Sequence, residues 1–264
     1  MTTDSHAESG VMDMDEGVTL LEAQHAELAE LLDGLDEDGW AAPSRCEGWS
    51  VSDVVLHLAQ TDEMALASAQ GRLAGYLADA AEGMTGADDV DDGAAQMVAN
   101  ERGRPGVEVG ARWRTGAERL RGVLAAGDPH TRVDWVAGQL SLRTLASTRL
   151  AECWIHTGDV ADALGRSPSE TDRLEAIARL AWRTLPYAFS RSGQELQGPV
   201  AFDLTGPGGV AWRFAGDEPA RTTVTGPALD LCLVAARRVD PASTRLTTEG
   251  PDGPAVLALV RTYA

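Results

Sequence analysis

The spacing of apolar residues changes near residue 198, and this change constrains the fold more than any other feature of the chain. Up to about residue 189, apolar residues recur at the three- and four-residue spacing of amphipathic helices, as in segment 18–35. Beyond it, short alternating runs such as 199–206 and 220–226 are divided by Gly-Pro and Gly-Gly turns, which is typical of strands. We therefore predict a mainly α protein, a helical bundle followed by a small α+β part.

The same pattern divides the chain into four segments. We predict a disordered polar tail at 1–17, a helical bundle at 18–165, a connecting helix and linker at 166–198, and a small α+β domain at 199–264. The four helices expected in the bundle cover about residues 18–35, 51 to beyond 71, 107–126 and 141–164. We expect the intervening segments 79–105 and 131–139 to be a loop with short helical pieces and a connector.

Charge and cysteine content narrow the classes of function. The chain has 41 acidic and 22 basic residues and a formal net charge of -19, so we expect no nucleic-acid or membrane partner. No lysine is present, which excludes Schiff-base and P-loop chemistry. Three widely spaced cysteines predict a reduced cytoplasmic protein, and we expect Cys46 and Cys153 to pack as small hydrophobic residues. A monomer and a homodimer both remain open.

Metal-capable side chains interrupt two otherwise apolar helical stretches. Glu152 and His156 are four residues apart and therefore lie on one face of a helix. If His57 of a facing helix joins them, the three resemble an open zinc site with three protein ligands and a free position. The spacing alone also allows a Glu–His hydrogen bond, a solvent-facing pair, and a core role for His57.

The surrounding motifs favour the metal site. Gly48-Trp49-Ser50-Val51-Ser52-Asp53 through His57-Leu58, with Glu152 through Asp159, resembles the DinB-like four-helix bundle of the mycothiol-dependent maleylpyruvate isomerase family. The segment from Arg132 to Gly165 is similar to an actinobacterial metal-binding branch of that family. The runs 204–207 and 224–230 resemble the C-terminal module of the same branch, so the resemblance extends from about residue 18 to 264.

The resemblance implies a divalent metal, zinc in the first place, held by His57, Glu152 and His156. It implies mycothiol as a cosubstrate and an electrophilic small molecule as the substrate of an isomerase or S-transferase. A metal-bound thiol loses its proton near neutral pH, which creates the nucleophile. Two alternatives stay open: a metal-dependent hydrolase or lyase on the same scaffold, and a non-catalytic small-molecule-binding module with a structural metal.

Four more residues become candidates through the resemblance. Asp159 and Asp53 each lie about one helical turn from a ligand histidine, so either could hold its second ring nitrogen. For binding of a substrate anion, Arg238 matches best the position where the family often carries an arginine, and a register shifted by one residue would place its neighbour Arg237 there instead.

Overall fold

The computed structural model describes residues 14–82, 84, 86, 90–136 and 138–262. Within these residues the helices are α1 Met14–Leu32, α2 Glu37–Ala41, α3 Val51–Ala69, α4 Leu73–Ala80, α5 Val90–Glu101, α6 Gly106–Ala126, α7 Leu142–Ala163, α8 Arg173–Arg191, α9 Ala228–Ala235 and α10 Gly253–Leu259. The strands are β1 Arg132–Trp135, β2 Gly138–Ser141, β3 Val200–Thr205, β4 Ala211–Phe214, β5 Thr222–Pro227 and β6 Thr247–Glu249. The predicted fold class, mainly α with an α+β C-terminal part, is confirmed.

Helices α1, α3, α6 and α7 form the predicted bundle. Two of them start at side-chain caps: Ser50 and Asp53 form a complete capping box at α3, and the Ser141 hydroxyl accepts from the amide of Thr144 at α7. Both helices are buried along most of their length, because each contacts the two helices beside it. These two helices carry the predicted metal ligands into the bundle interior.

The boundaries of several elements differ from the expectation. Helix α1 includes Met14 and Gly17, which we expected in the tail, and both are buried; residues 1–13 lie outside the described residues. Helix α3 ends at Ala69 rather than beyond Gly71, because Gly71 adopts a φ of +68° that breaks the helix. The expected connector 131–139 largely forms the hairpin of β1 and β2.

The C-terminal part contains a four-stranded sheet in the order β4-β3-β5-β6. Strands β3 and β5 run parallel, with Val200 opposite Thr222, and the two outer pairings are antiparallel. Strand β6 is the one strand of this sheet that the sequence did not predict. Helix α9 follows β5 directly, and Arg238, three residues beyond its end, contacts Asp159 of α7.

Helix α8, predicted as part of a connection, packs on both parts of the molecule. It contacts α7 on one side and α9 on the other, and the Trp182 indole donates to the carbonyl of Val200, 2.8 Å away. One cluster of buried apolar residues runs from Leu21 of α1 through Ile177 of α8 to Phe202 of β3. In the part of the chain that the structure describes, no helix is both long and apolar enough to span a bilayer.

Candidate metal centre

Three side chains meet between α3 and α7. The carboxylate oxygen Oε1 of Glu152 lies 2.7 Å from Nε2 of His57 and 3.4 Å from Nε2 of His156. The two imidazole rings are edge to face, with centroids 4.9 Å apart. Each of the three residues exposes less than a tenth of its surface. The structure therefore brings together the three residues that the sequence predicted as metal ligands.

Charge in this cluster is balanced by hydrogen bonds. Burial alone would raise the pKa of Glu152, but hydrogen bonds with His156 and His57 hold it well below its usual value. Burial would lower the pKa of His156, yet its bonds to Asp159, Cys46 and Glu152 raise it well above the usual value. The pKa of His57 is lowered, because the effect of burial outweighs that of its hydrogen bond with Glu152. The Glu152 carboxylate, with a lowered pKa, thus lies between His156, whose pKa is raised, and His57, whose pKa is lowered.

Asp159 orients His156 from the next turn of α7. Its Oδ2 is 2.9 Å from Nδ1 of His156, so Nδ1 donates to the carboxylate and Nε2 points towards Glu152. A carboxylate in this position fixes the tautomer of a metal-binding histidine and raises its basicity. Burial would raise the pKa of Asp159, but its bonds to His156 and Arg238 lower it, so the carboxylate is ionised. The predicted orienting role of Asp159 fits this geometry.

Arg238, in the C-terminal part of the chain, forms an ion pair with the carboxylate of Asp159. Its Nε and Nη2 donate to Oδ1 and Oδ2 of Asp159, each at 2.7 Å, in the two-pronged arrangement typical of strong arginine–carboxylate pairs. Burial would lower the pKa of Arg238, whereas the bonds to Asp159 raise it. A chain of contacts therefore runs from Arg238 through Asp159 to His156.

The end of α9 explains why Arg238 and not Arg237 reaches the site. The amide of Arg238 donates to the carbonyl of Leu233 and that of Arg237 to Val234, which is a Schellman motif. Arg237 occupies its left-handed position with a φ of +60°, which turns the chain. Its guanidinium donates to the carbonyl of Ala258 instead, so the structure does not bring Arg237 to the cluster.

Asp53 is also placed away from the metal ligands. Its Oδ2 accepts from the amide and hydroxyl of Ser50, and its Oδ1 accepts from Nε of Arg102 at 2.9 Å. As the third residue of α3, its carboxylate turns back to satisfy the helix end rather than forward to His57. The expectation that Asp53 orients His57 is therefore not supported by the geometry.

Cys46 lies in the site, contrary to the expectation of a packed hydrophobic residue. Its thiol donates to Oδ2 of Asp159 at 3.4 Å and accepts from Nη2 of Arg238 at 3.7 Å. The loop 43–50 folds back on itself around Gly48, whose φ is +76°, and this carries Cys46 over His156. The Gly48-Trp49 motif close to it in sequence was the feature that could have indicated that Cys46 lies near the site. Cys153 is buried as expected, and burial raises the pKa of its thiol.

The donor set fits a metal ion. One ligand atom each from His57, Glu152 and His156 can be chosen so that the three lie within 4.8 Å of one another. Two donors on one zinc ion, each about 2.0–2.2 Å from it, are at most about 4.4 Å apart, and the two distances above satisfy this limit. Cys46, His156 and Asp159 form a second close group, but the oxygens of Asp159 are already occupied by His156 and Arg238. The first group is the better site.

A second buried polar group lies deeper in the bundle. Nε2 of His25 and Oδ2 of Asp62 are 3.9 Å apart, too far for a hydrogen bond. Burial raises the pKa of Asp62 to about 7 and, with Arg121 and Arg149, lowers the pKa of His25 to about 3. His25 is therefore neutral near neutral pH, and the two side chains do not form an ion pair there.

Comparison with known proteins gives matches to one family. A family model described as the mycothiol maleylpyruvate isomerase N-terminal domain matches residues 21–161. Uncharacterised proteins from two strains of Mycobacterium tuberculosis are 32% identical over 247 residues, which cover 92% of this chain and 93% of each relative.

Solved structures show the same fold. The crystal structure of the mycothiol-dependent maleylpyruvate isomerase matches with a TM-score of 0.60 and 19% identity, covering 92% of this chain and 96% of that chain. A histidine-to-alanine mutant of that enzyme matches with the same values. The family model spans more than half of the chain, and the bundle it matches holds His57, Glu152 and His156. This chain therefore belongs to the family defined by the mycothiol maleylpyruvate isomerase N-terminal domain.

Proposed function

We propose that this protein is a metal-dependent enzyme that uses mycothiol to isomerise a small electrophilic molecule. The observation that carries the proposal is the position of Glu152 Oε1 between the Nε2 atoms of His57 and His156, at 2.7 and 3.4 Å. Family membership supports a thiol-using isomerase, because the matched family and the matched structure are both named for one.

Zinc is the ion we propose for this site. His57, Glu152 and His156 would hold it through two nitrogens and one oxygen, a donor set that zinc accepts in catalytic sites with one open position. When bound, the ion supplies the positive charge that lowers the pKa of a thiol at the open position, so that the thiolate forms near neutral pH.

The chain's own residues prepare the site for that thiol. Asp159 accepts a hydrogen bond from Nδ1 of His156, so Nε2, which faces Glu152, is the nitrogen that would give up its proton and bind the ion. Arg238 keeps Asp159 ionised through two hydrogen bonds. The ring of Trp49 packs against that of His57, with the ring centroids 5.3 Å apart.

The proposed reaction is a reversible addition. The thiolate sulfur of mycothiol forms a bond to one carbon of a conjugated double bond, and the electron pair of that double bond moves into the conjugated carbonyl group. Rotation about the resulting single bond follows. The electron pair then returns, the carbon–sulfur bond breaks, and the thiol leaves unchanged. The products are the geometric isomer of the substrate and free mycothiol, so atoms and electrons balance.

Arg238 acts in this proposal as a positioning residue rather than as the expected substrate clamp. A guanidinium has five N–H donors. Four contacts engage four of them here: two with Asp159, one with the Cys46 sulfur, and one from Nη1 to the carbonyl of Ala236. To form two parallel hydrogen bonds with a substrate carboxylate, Arg238 would have to break its pair with Asp159.

Reducing conditions suit this chemistry. All three cysteines are free, and a low-molecular-weight thiol is the proposed cosubstrate. We therefore propose a cytoplasmic location, with no nucleic-acid or membrane partner for a chain whose net charge is -19.

Metal analysis combined with product analysis tests the proposal. The purified protein and its His57→Ala and Glu152→Gln variants are analysed for zinc, with His130→Ala as a control that removes an exposed histidine. We expect about one zinc per chain in the wild type and in His130→Ala, and a loss in the other two variants. Each protein is then mixed with mycothiol and maleylpyruvate, the substrate named for the matched structure.

The products decide between the proposal and its alternatives. Isomerised substrate with recovery of free mycothiol supports the proposal. A stable thioether would make the protein an S-transferase, and turnover independent of the thiol would indicate a hydrolase or lyase. Zinc retained in both ligand variants would contradict the metal site itself and favour a binding module.

A further inference from the structure

A groove with three arginines lies between the first turns of α7 and the outer face of α8. Its volume is about 130 Å³. Arg143 lines it from α7, and Arg179 and Arg183 line it from α8, one helical turn apart. We call this set the arginine groove. The other lining residues are Thr144, Ser147, Ala176, Leu180 and Thr184.

The charges of the arginine groove are only partly compensated. Arg179 pairs with Glu175 at 2.8 Å and lies over the ring of Phe214. Among the described residues, the guanidiniums of Arg143 and Arg183 make no hydrogen bond or ion pair with the protein, and Nε of Arg143 is buried. Burial, together with Arg143 and Arg179, lowers the pKa of Arg183, as expected where like charges are gathered.

This arrangement is unusual in a chain of net charge -19. Carboxylates outnumber basic side chains by 41 to 22, yet three arginines share one groove with one carboxylate in contact. Gathering like charges destabilises the fold, and a buried N–H without an acceptor adds to that cost. A bound anion would remove both penalties, because its oxygens accept from the guanidiniums and offset their charge.

We propose that the arginine groove binds the phosphate group of a small ligand. Three guanidinium forks around one groove match a tetrahedral oxyanion with at least three free oxygens better than a carboxylate with two. The first amides of α7 already donate to protein acceptors, so the helix end contributes its positive dipole rather than free N–H groups. The guanidiniums are therefore the ligands.

The groove is separate from the metal centre. Arg143 and Glu152 lie on the same helix, nine residues apart, which corresponds to about 14 Å along its axis. No residue of the groove contacts His57, Glu152 or His156 in the described structure. The proposal therefore does not rest on the proposed enzyme activity.

Calorimetric titration with inorganic phosphate tests the proposal. Ionic strength is kept constant with sodium chloride, and the protein is used as purified, with its metal. The variants are Arg143→Gln and Arg183→Gln, and the control is Arg119→Gln, which removes the same charge from an exposed position on α6. We expect the wild type and Arg119→Gln to bind one phosphate, the two groove variants to bind about ten- to a hundredfold more weakly, and acetate to bind more weakly than phosphate.

Thermal unfolding without phosphate separates ligand binding from a structural role. If the groove is a binding site, loss of Arg183 relieves repulsion, and Arg183→Gln melts at the wild-type temperature or above it. Absence of phosphate binding to the wild type overturns the proposal. Equal binding by the wild type and both groove variants also overturns it, because phosphate would then bind elsewhere, for example at the metal.

Discussion

Replacing Asp159 by asparagine tests how the metal centre is oriented. The side chain is 1% exposed and receives hydrogen bonds from Nδ1 of His156, from two nitrogens of Arg238 and from the thiol of Cys46. Asparagine keeps the shape but has one acceptor oxygen and an NH₂ group. If its oxygen stays with Arg238, its NH₂ faces His156 and must donate to Nδ1. The proton of His156 then moves to Nε2, the atom that we propose to bind the metal.

The expected effect follows from these contacts. Loss of an orienting carboxylate lowers metal affinity about 10- to 100-fold, which corresponds to about 1.4–2.7 kcal/mol. Asp159→Asn also lowers the stability of the fold, because Arg238 loses a charged hydrogen-bond acceptor. A charged hydrogen bond contributes about 1.5–3 kcal/mol, and the partial exposure of Arg238 places the loss of unfolding free energy near the lower figure.

Competition with a chromogenic zinc chelator measures the affinity, and urea unfolding of the metal-free protein measures stability. Asp162→Asn is the matched control, because Asp162 is an exposed residue on the same helix three positions later. We expect Asp162→Asn to match the wild type in both assays. Wild-type zinc affinity in Asp159→Asn would refute the argument that the tautomer of His156 is fixed from Asp159.

Three further changes test local features of the fold. Arg237→Gly should raise the unfolding free energy by about 0.5–1 kcal/mol in urea titrations, because glycine accepts the φ of +60° without strain; a loss of stability would contradict the Schellman argument. Gly106→Ala should lower the thermal midpoint, because a Cβ there would lie 2.3 Å from Trp40 atoms, whereas Gly122→Ala in the same helix meets nothing and should raise it; equal effects would refute the packing argument. The pKa of Asp62 is raised from 3.8 to about 7, so its protonated form stabilises the fold below about pH 4 and this contribution is lost as the pH rises to 7. Asp62→Asn should therefore gain stability relative to wild type over that interval, by up to about 1.4 kcal/mol per pH unit in urea unfolding, and a pH-independent difference would show that Asp62 titrates normally.

The long helices of the bundle could be predicted because their signals are local. The capping pair Ser50 and Asp53 marks the start of α3, and the four-residue spacing of Glu152 and His156 puts both on one face of α7. The hairpin of β1 and β2 was missed because its strands are four residues each, although Val133 and Trp135 do alternate with exposed neighbours.

The surroundings of the metal ligands depended on contacts that spacing does not encode. Asp53 is three residues from Ser50 and four from His57, so a helical turn puts both within reach, and its carboxylate satisfies the helix end rather than contacting His57. Arg238 meets Asp159 across 79 residues, and the turn at Arg237 that makes this possible is occupied by a residue type that rarely adopts it. The position of Cys46 depended on the path of a loop.

The contact between Arg238 and Asp159 has a consequence for how this family can recombine. The matched family segment ends at residue 161, and it contains all three proposed ligands and Asp159. The cation that keeps Asp159 ionised comes from the end of α9, 79 residues later. A bundle fused to a foreign C-terminal part would keep its proposed ligands and lose that cation, so we expect it to bind a metal ion less firmly. Such a fusion would need an arginine of its own at the same carboxylate to recover the contact.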